Sequence, residues 1–357
     1  MAQLLQKDLR IEISHVARIS MNKLEQYQNN TMNKRMKLGA SLAAILTVTS
    51  LSAVEIGPTG SGIELSGFVD LRFESAENGN ARDNSFDTSQ VEINLDFETG
   101  PVYFNVDVDF TPSGGDGAYL EEAVVGYDFG NGFGLSAGRS LSYLGWEAYD
   151  PINMLQYSYA FDLAKQTPTV GGEDYFSGPQ DIYDAFRDGG MASYSNDLFA
   201  ASVWLGFDPD DNDDSARWEY MVAFTGIENF VAKAIYADDP DDHEIHTIWA
   251  SYTFGNLMLA GEVAEKDSET LGKIEGWLVL ADYSVTDKLG LVVRYSDLER
   301  AGGDATLLLT DVDSDKITVS PHYAITDELT GRIEYSSEDL SGGNDSDLFA
   351  AELIYTF

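Results

Sequence analysis

The sequence predicts an all-β fold: a transmembrane antiparallel up-and-down β-barrel of about 16 strands that follows an N-terminal signal peptide. Three observations predict it. Apolar and polar residues alternate with a period of two along most of the chain after Gly62, as they do in two-faced strands. Short connections alternate with long ones. The residues from Phe349 to Phe357 form a strand with no turn after it, so this strand needs a partner elsewhere in the sheet.

Composition excludes several classes of protein. The chain has no Cys, which rules out disulfides and thiolate chemistry, and its four His residues leave little room for a His-based metal site. A formal charge of −40 repels nucleic acid, so no nucleic-acid partner is expected. The 19 Tyr, 18 Phe and 5 Trp residues distinguish the chain from disordered acidic proteins, which lack aromatics. No stretch reaches the roughly 18 uninterrupted apolar residues of a membrane-spanning helix.

The N-terminal region is expected to direct secretion. A basic stretch, a short apolar stretch and a group of small residues make residues 32–53 a secretory signal peptide. Residues 1–31 match no part of such a signal, so we expect them to be a misassigned upstream extension, with the true start at Met32. The barrel is assigned to residues 54–357.

The strands follow from the alternation of apolar and polar residues. In 63–73, 91–97 and 102–110 nearly every second residue is apolar, and the residues between are mostly Asp, Glu, Asn or Arg. Thirteen further strands are predicted at about 120–129, 133–140, 189–196, 198–207, 217–225, 230–237, 246–254, 257–265, 274–285, 289–297, 316–325, 329–337 and 347–357. An even total is typical of bacterial single-chain barrels.

The connections alternate in length along the chain. Seven are turns of two to four residues, and eight are longer loops, predicted at roughly 75–88, 111–118, 141–188, 208–216, 238–245, 266–273, 298–315 and 338–346. On the apolar face, aromatic residues concentrate at both strand ends, such as Phe97 and Tyr283 near short turns and Phe110 and Tyr295 near long loops. Short turns at one end, long loops at the other and two aromatic girdles indicate an outer-membrane barrel.

The polar face of the predicted strands indicates a wet interior. It carries many charged residues, among them Asp70, Arg72, Glu122 and Arg332. Burying so many charges without water would cost more free energy than a fold supplies. A barrel of about 16 strands is wide enough for an aqueous channel, so the sequence predicts a conducting lumen.

The long loop at 141–188 is rich in Trp and Tyr, which favours a packed loop over a solvated one. We expect it to fold into the lumen and narrow the pore; packing over the rim or against a neighbouring subunit are the alternatives. Candidate residues for pore constriction or selectivity are Arg72, Glu122, Arg139, Glu147, Asp150, Arg294, His322 and Arg332. Within this set, Glu147 and Asp150 are expected to oppose wall arginines. His322 is expected beside Arg332, either in a structural ion pair or in a selectivity role.

Two loops, at 208–214 and 238–244, are runs of acidic residues. Asp208, Asp210, Asn212 and Asp214 have the alternating spacing of a calcium loop, which makes them weak candidates for Ca²⁺ or Mg²⁺ ligands. The Gly and the distal Glu of an EF-hand are missing. A solvated acidic surface, or divalent bridges to anionic surface sugars, explains the runs equally simply, and no other cofactor is expected.

Several motifs resemble those of the OmpL-like putative β-barrel porins. They are the Glu121-Glu122-Ala123 strand with Tyr127, the Gly138-Arg139 turn, Gly145-Trp146-Glu147 and Asp150-Pro151-Ile152-Asn153. The resemblance is close over one strand pair and the start of the long loop. The aromatic residue that usually follows Gly-Arg is Ser140 here. The resemblance implies a porin in the outer membrane of a Gram-negative-type bacterium, and it implies no particular solute.

The leading hypothesis is a porin for passive diffusion of small hydrophilic solutes and ions, with a preference for cations because of its acidic lumen. The expected partners are outer-membrane lipid, these solutes and a possible homotrimer. One alternative is a substrate-specific channel for phosphate or small carboxylates along Arg72, Arg294 and Arg332. Another is a structural or adhesive surface barrel that works through its acidic loops. An enzyme is not expected, because Ser320 and His322 lie two residues apart on a strand, too far for a direct bond.

Overall fold

A computed structural model describes residues 53–57, 60–78, 81–110, 117–147, 149–162, 182–183, 185–207, 216–239, 243–268, 272–302, 311–341 and 345–357. The misassigned extension expected at 1–31 lies outside the described residues, as does all but the last residue of the signal peptide expected at 32–53.

The described part of the chain contains 17 β-strands and one short 3₁₀ helix, at Pro151–Asn153. The strands are β1 (Val54–Glu55), β2 (Ile63–Asn78), β3 (Ala81–Thr99), β4 (Val102–Phe110), β5 (Ala118–Asp128), β6 (Phe133–Leu141), β7 (Phe186–Ser195), β8 (Phe199–Gly206), β9 (Arg217–Ile227), β10 (Phe230–Asp239), β11 (His243–Phe254), β12 (Leu257–Ser268), β13 (Gly272–Ser284), β14 (Leu289–Ala301), β15 (Val312–Ala324), β16 (Leu329–Leu340) and β17 (Ser346–Thr356). In these residues no helix is long and apolar enough to cross a membrane.

Strands β2 to β17 form a closed barrel. Each strand pairs antiparallel with the next, and β17 pairs with β2, with Leu353 opposite Leu71. At the foot of this seam Phe357 and Gly67 exchange two backbone hydrogen bonds, of 3.0 and 3.1 Å. The short β1 adds to β2 beside the same seam, with Val54 opposite Leu65. The predicted 16-strand antiparallel barrel is therefore confirmed.

The outward face of the barrel is apolar and exposed. On β13, Val279 is 51% exposed and Tyr283 is 49% exposed, and on β12 Val263 is 56% exposed. The residues that alternate with them along the strand, such as Leu278, point inward and are buried. Exposed valines and leucines in the middle of the strands, bracketed by aromatic residues at their ends, suit a surface that faces hydrocarbon and two interfaces.

The first hairpin is longer than the sequence predicts. The long loop expected at 75–88 is instead mostly paired strand, because β2 and β3 continue together to the Asn78–Ala81 pair. A bulge between Asp70 and Leu71 shifts the register at the base of this extension. The alternation fades there because a ladder that rises beyond the bilayer has no lipid on either face, so polar residues are tolerated on both sides.

The seam depends on a glycine. A Cβ added at Gly67 would lie 2.2 Å from the carbonyl oxygen of Glu92 and 2.7 Å from the ring of Phe357. Both contacts are far too short, and the first is with backbone, which cannot move aside without breaking the β2–β3 ladder. Gly331 on β16 offers a comparison, because a Cβ there would meet its nearest neighbours at 3.5 and 3.6 Å.

We therefore expect Gly67→Ala to lower the free energy of unfolding by about 1–3 kcal/mol through overpacking. The matched variant Gly331→Ala should change it by less than about 0.5 kcal/mol. Urea titration of the barrel in lipid vesicles, followed by tryptophan fluorescence, measures both. Equal stability of the two variants would show that the seam is less tightly packed than described.

Candidate functional site

The start of the long loop enters the barrel, and its residues 141–147 and 149–162 are called the luminal segment below. The start and the end of the long loop are joined where the Ser142 N–H donates to the Ala185 carbonyl at 2.8 Å. Just beyond, the Ser142 hydroxyl and the Tyr143 N–H donate to the inward carboxylate of Glu219 on β9, at 2.6 and 3.0 Å. The chain thus turns from the rim into the lumen because a wall carboxylate accepts its first free donors.

Two more wall carboxylates hold the backbone of the luminal segment. The Trp146 N–H donates to Glu262 on β12 at 3.0 Å. The N–H groups of Tyr157 and Ser158 donate to Glu334 on β16, the first at 2.6 Å. Irregular backbone at membrane depth needs such partners, because lipid provides none. A carboxylate is a strong acceptor for this purpose.

Arg332 holds the part of the luminal segment around Pro151 and Met154. Its guanidinium donates to the carbonyl oxygens of Pro151 and Met154, at 3.2 and 2.5 Å, and to the Glu352 carboxylate at 2.5 Å. The residue is only 6% exposed. It is therefore a cross-brace between β16, β17 and the segment, and not a wall cation that faces open water.

A buried ion pair lies near the middle of the segment. Arg294 on β14 is 0% exposed and donates to the Glu147 carboxylate, with further bonds to the Ser158 carbonyl at 2.6 Å and the Thr318 hydroxyl at 3.1 Å. Glu147 also accepts the Ala160 N–H at 2.7 Å. The pair is completely enclosed, so Glu147 acts as a structural residue here.

Apolar contacts complete the anchoring. The rings of Trp146 and Trp249 meet edge to face with centroids 5.1 Å apart. Phe161 and Ile182 lie over Gly276 on β13, where a Cβ would come within 2.6 Å of the Phe161 ring. The interior between the luminal segment and β9–β14 is thus a packed core, and not the continuous water-filled space that the polar face predicts.

The luminal segment separates the charges of the wall. The inward cations on β10–β16 are all buried, none more than 7% exposed: Lys233, Lys266, Arg294, Arg300, Lys316 and Arg332. Several inward carboxylates on β2–β5 remain partly or fully exposed, among them Glu64, Asp96, Asp107, Glu121, Glu122 and Asp128, whereas Asp70, Glu92 and Asp109 are buried. Among the described residues on the luminal face of β2–β6, the cation is Arg72. It pairs with Asp87 at 2.8 Å, and 30% of its side chain is exposed. The open face is therefore strongly acidic.

The remaining candidate residues are spread over the wall. Glu122 accepts the Leu141 N–H at 2.7 Å, at the start of the luminal segment. Arg139 pairs with Asp188 at 2.8 Å and lies opposite Ala123, on the face of β6 that carries Leu135. That is the outward face, so the position of Arg139 does not support a place in the constriction.

His322 lies opposite Arg332 in the β15–β16 register. Its ring packs on Gly290, where a Cβ would come within 2.2 Å of Nε2. The Ser320 hydroxyl donates to the Ile333 carbonyl at 3.1 Å and so is not directed at this histidine.

The candidate calcium ligands Asp208, Asp210, Asn212 and Asp214 lie outside the described residues. Within the described ranges, two other groups of carboxylates come within 4.8 Å of one another. They are Glu92 with Glu121 and Asp150, and Asp297 with Glu299 and Asp313.

The sequence analysis did not single out the anchoring carboxylates. Glu219, Glu262 and Glu334 each occupy one inward position on a strand, like many other acids of the polar face. Gly276 carried a usable signal, because a glycine inside a regular strand often marks the close approach of another part of the chain.

Asp150 lies where the luminal segment approaches the acidic wall. Burial, together with the carboxylates of Glu92, Asp107 and Glu122, raises the pKa of Asp150 well above its usual range. Asn153 donates to Asp150 at 3.5 Å, which opposes the shift only weakly. The shift therefore favours the neutral form of the Asp150 carboxyl.

The raised pKa predicts the effect of Asp150→Asn. The folded protein binds the Asp150 proton more tightly than the unfolded chain does. The stabilisation that this protonation gives is therefore complete below the ordinary Asp pKa of about 4 and is lost as pH rises. The variant should be more stable than wild type at pH 8 and equal to it near pH 3. Urea midpoints at both values test this, with Asp287→Asn in an exposed turn as the control. A loss of stability at pH 8 would contradict the assignment.

The buried pair predicts a second result. Arg294→Met leaves Glu147 charged and enclosed, so it should lower stability by about 3–5 kcal/mol. Adding Glu147→Gln should recover part of that loss, because the stranded charge is gone. A double-mutant cycle on urea midpoints measures the coupling. Lys273→Met, which removes an exposed partner of Glu275, serves as the control and should give no measurable change. Strictly additive effects of the two substitutions would show that the pair does not anchor the segment.

Solved structures of outer-membrane proteins share this fold. OmpF of Salmonella typhi, in complex with daunomycin, has a TM-score of 0.62 at 17% identity, over 85% of this chain and 100% of that chain. The anion-selective porin from Comamonas acidovorans has a TM-score of 0.60 at 15% identity, over 83% and 99%. The trimer form of in-vitro folded OmpT of Vibrio cholerae has a TM-score of 0.58 at 17% identity, over 83% and 100%.

At these identities the likeness concerns the fold alone. A comparison of the sequence with curated proteins found no match. The family described as putative beta-barrel porin-2, OmpL-like, matches residues 62–357, which includes the whole closed barrel. The chain therefore belongs to this family of porins, and it is an outer-membrane β-barrel of the Gram-negative type.

Proposed function

We propose that this porin is a passive channel for small hydrophilic solutes and ions, with a preference for cations. The open path runs between the luminal segment and the inner face of β2–β6. The single observation that supports the preference most directly is the separation of charge: the wall cations of β10–β16 are covered, whereas inward carboxylates of β2–β5 such as Glu64 and Asp96 are fully or partly exposed.

The covered cations contribute little net field to the path. Arg294 is paired with Glu147, Arg332 with Glu352 at 2.5 Å, and Lys316 lies 3.8 Å from Glu338. A paired charge acts as a short dipole whose field falls off quickly, whereas the carboxylates along the path face the solution and attract counter-ions.

A substrate-specific channel for phosphate or small carboxylates is the second candidate. Its proposed track would need Arg72, Arg294 and Arg332 to face the solute. Arg294 and Arg332 are buried under the luminal segment, and Arg72 is paired with Asp87. The geometry therefore favours the cation-preferring channel.

A homotrimer is proposed as the assembled form, on the model of the trimeric OmpT structure with the same fold. Contact between barrels would cover part of the exposed outer wall. Mass measurement of the detergent-solubilised protein distinguishes a trimer from a monomer. Catalysis is not proposed, and the acidic loops of an adhesive barrel lie largely outside the described residues.

Planar-bilayer recordings in a salt gradient test the channel. We expect ohmic steps and a reversal potential on the cation-preferring side. Glu64 and Asp96 face each other on the luminal side of β2 and β3. The double variant Glu64→Gln with Asp96→Asn should lower the cation-to-anion permeability ratio by about two-fold, because two exposed fixed charges are lost.

The control is Asp297→Asn, which removes a carboxylate from the outward face of β14 and should leave the reversal potential unchanged. An anion-preferring wild type would contradict the proposed selectivity and favour the phosphate or carboxylate channel. Correctly inserted protein without conductance would contradict the channel itself.

A further inference from the structure

A second concave site lies away from the proposed ion path. A cavity of about 390 Å³ opens at the long-loop rim of β6–β10, where inward residues such as Glu219 and outward residues such as Arg139 both line it. This volume is in the range of about 300–1,000 Å³ that small-molecule sites occupy. Its wall includes Trp204 and three arginines, Arg139, Arg187 and Arg217. The cavity is thus built from residue types that are scarce in this acidic chain.

Two glycines, Gly189 and Gly206, leave the space against the sheet that the Trp204 ring occupies. A Cβ at Gly189 would lie 2.6 Å from indole Cε2, and one at Gly206 would lie 2.3 Å from Cη2. Gly189 and Gly206 are opposite each other in the β7–β8 register. The indole therefore lies flat against two glycines and is only 4% exposed.

Arg187 covers the other face of the indole, with its guanidinium carbon 4.5 Å from the ring centroid. Its Nη2 donates to Glu219 at 2.6 Å, the same carboxylate that holds the start of the luminal segment. Stacking and a charge-assisted bond fix the arginine in one position. The back wall of the cavity is therefore rigid.

The open side of the cavity presents both donors and acceptors. Arg217 pairs with Asp239 at 2.6 Å and keeps 35% of its side chain exposed. Asp188 accepts from Arg139 at 2.8 Å and keeps 57% of its side chain exposed. A ligand in the cavity would meet a guanidinium on one side and a carboxylate on another.

The indole N–H of Trp204 has no hydrogen-bond acceptor among the described residues. The Nε1 atom that carries this hydrogen is buried. Leaving a buried donor unpaired costs free energy, so such a group often marks the place where a ligand or water binds. Trp204 lines the cavity, so an oxygen acceptor seated there would satisfy this donor.

Each arginine of the cavity has a carboxylate partner: Arg139 with Asp188, Arg187 with Glu219, and Arg217 with Asp239. Asp238 and His243 line the cavity as well, so the carboxylates outnumber the arginines. An anionic ligand would find no excess cation here, and the chain around it is strongly acidic. A neutral molecule with many hydroxyl groups needs both hydrogen-bond donors and hydrogen-bond acceptors from the protein. It also needs apolar side chains that contact its C–H faces. Phe186 and Trp218 supply that contact.

We propose that this cavity is a binding site for a small neutral saccharide, of mono- to disaccharide size. The sugar has two sources at the long-loop end of an outer-membrane barrel: a free sugar in the medium, or a neutral sugar unit of the surface lipopolysaccharide. The shared chemistry is the same, and the experiment separates the sources.

Isothermal titration calorimetry of the full-length protein, folded in detergent, tests the site with maltose as the probe. We expect saturable one-site binding. Trp204→Phe keeps the ring on its two glycines and removes the N–H, so it should weaken binding about 3- to 10-fold. Trp277→Phe, on the outward face of β13, is the matched control and should bind as wild type does.

Arg217→Gln is a second variant, because Arg217 is at the open side and does not hold Trp204. It should also weaken binding, and it keeps the test valid if Trp204→Phe fails to fold. Binding of delipidated core oligosaccharide of lipopolysaccharide without binding of maltose would identify the surface sugar as the source. Binding of maltose without binding of that oligosaccharide would identify a free sugar.

Two results would overturn the proposal. The first is no saturable binding of either probe, or binding that Trp204→Phe and Arg217→Gln leave unchanged. The second is tighter binding of glucuronate than of maltose, which would show that the cavity selects an anion. Binding in detergent requires no conductance, so the outcome is independent of whether the barrel conducts ions.

Discussion

Backbone hydrogen bonding in the absence of water is the constraint on which the rest of this structure depends. Hydrocarbon offers no partner to a free N–H or C=O, so every strand needs neighbours on both sides and the sheet must close. Here closure is made at the β17–β2 seam, where Gly67 and Phe357 exchange their last bonds. Closure in turn divides the residues into a lipid face and an enclosed face, and it defines the space that the luminal segment enters.

The same constraint explains how an irregular segment is held inside the barrel. Its N–H groups are accepted by Glu219, Glu262 and Glu334, and three of its carbonyl oxygens are held by Arg332. These wall charges are therefore used for structure. On β2–β5, Glu122 also accepts the Leu141 N–H, but other inward acids of these strands, such as Glu64 and Asp96, remain in contact with solution. Charge separation across the lumen is thus a by-product of anchoring.

The fold could be predicted from sequence to a large extent, because period-2 alternation and turn spacing are local. The predicted strands match the observed ones to within about four residues at their ends, except where β2 and β3 rise beyond the bilayer and lipid no longer selects their outward residues. The candidate site could be predicted less well. Glu147 was expected to oppose a wall arginine, and it pairs with Arg294, but the sequence did not show that this pair would be enclosed or that Arg139 would lie on the outward face. Residue type and the alternation of inward and outward positions along a strand do not show which wall positions a loop will cover.

The sequence by itself determined the class of barrel, the number of its strands, the end that carries the long loops and the acidic excess of the chain. Only the tertiary structure decided which half of the lumen the segment fills, which cations it buries, and how Trp204 comes to lie between two glycines and Arg187. The physical reason is the distance along the sequence over which the interactions act. Alternation and turn chemistry act between near neighbours, whereas the partner of Glu147 lies 147 residues away and is chosen by packing inside a closed wall.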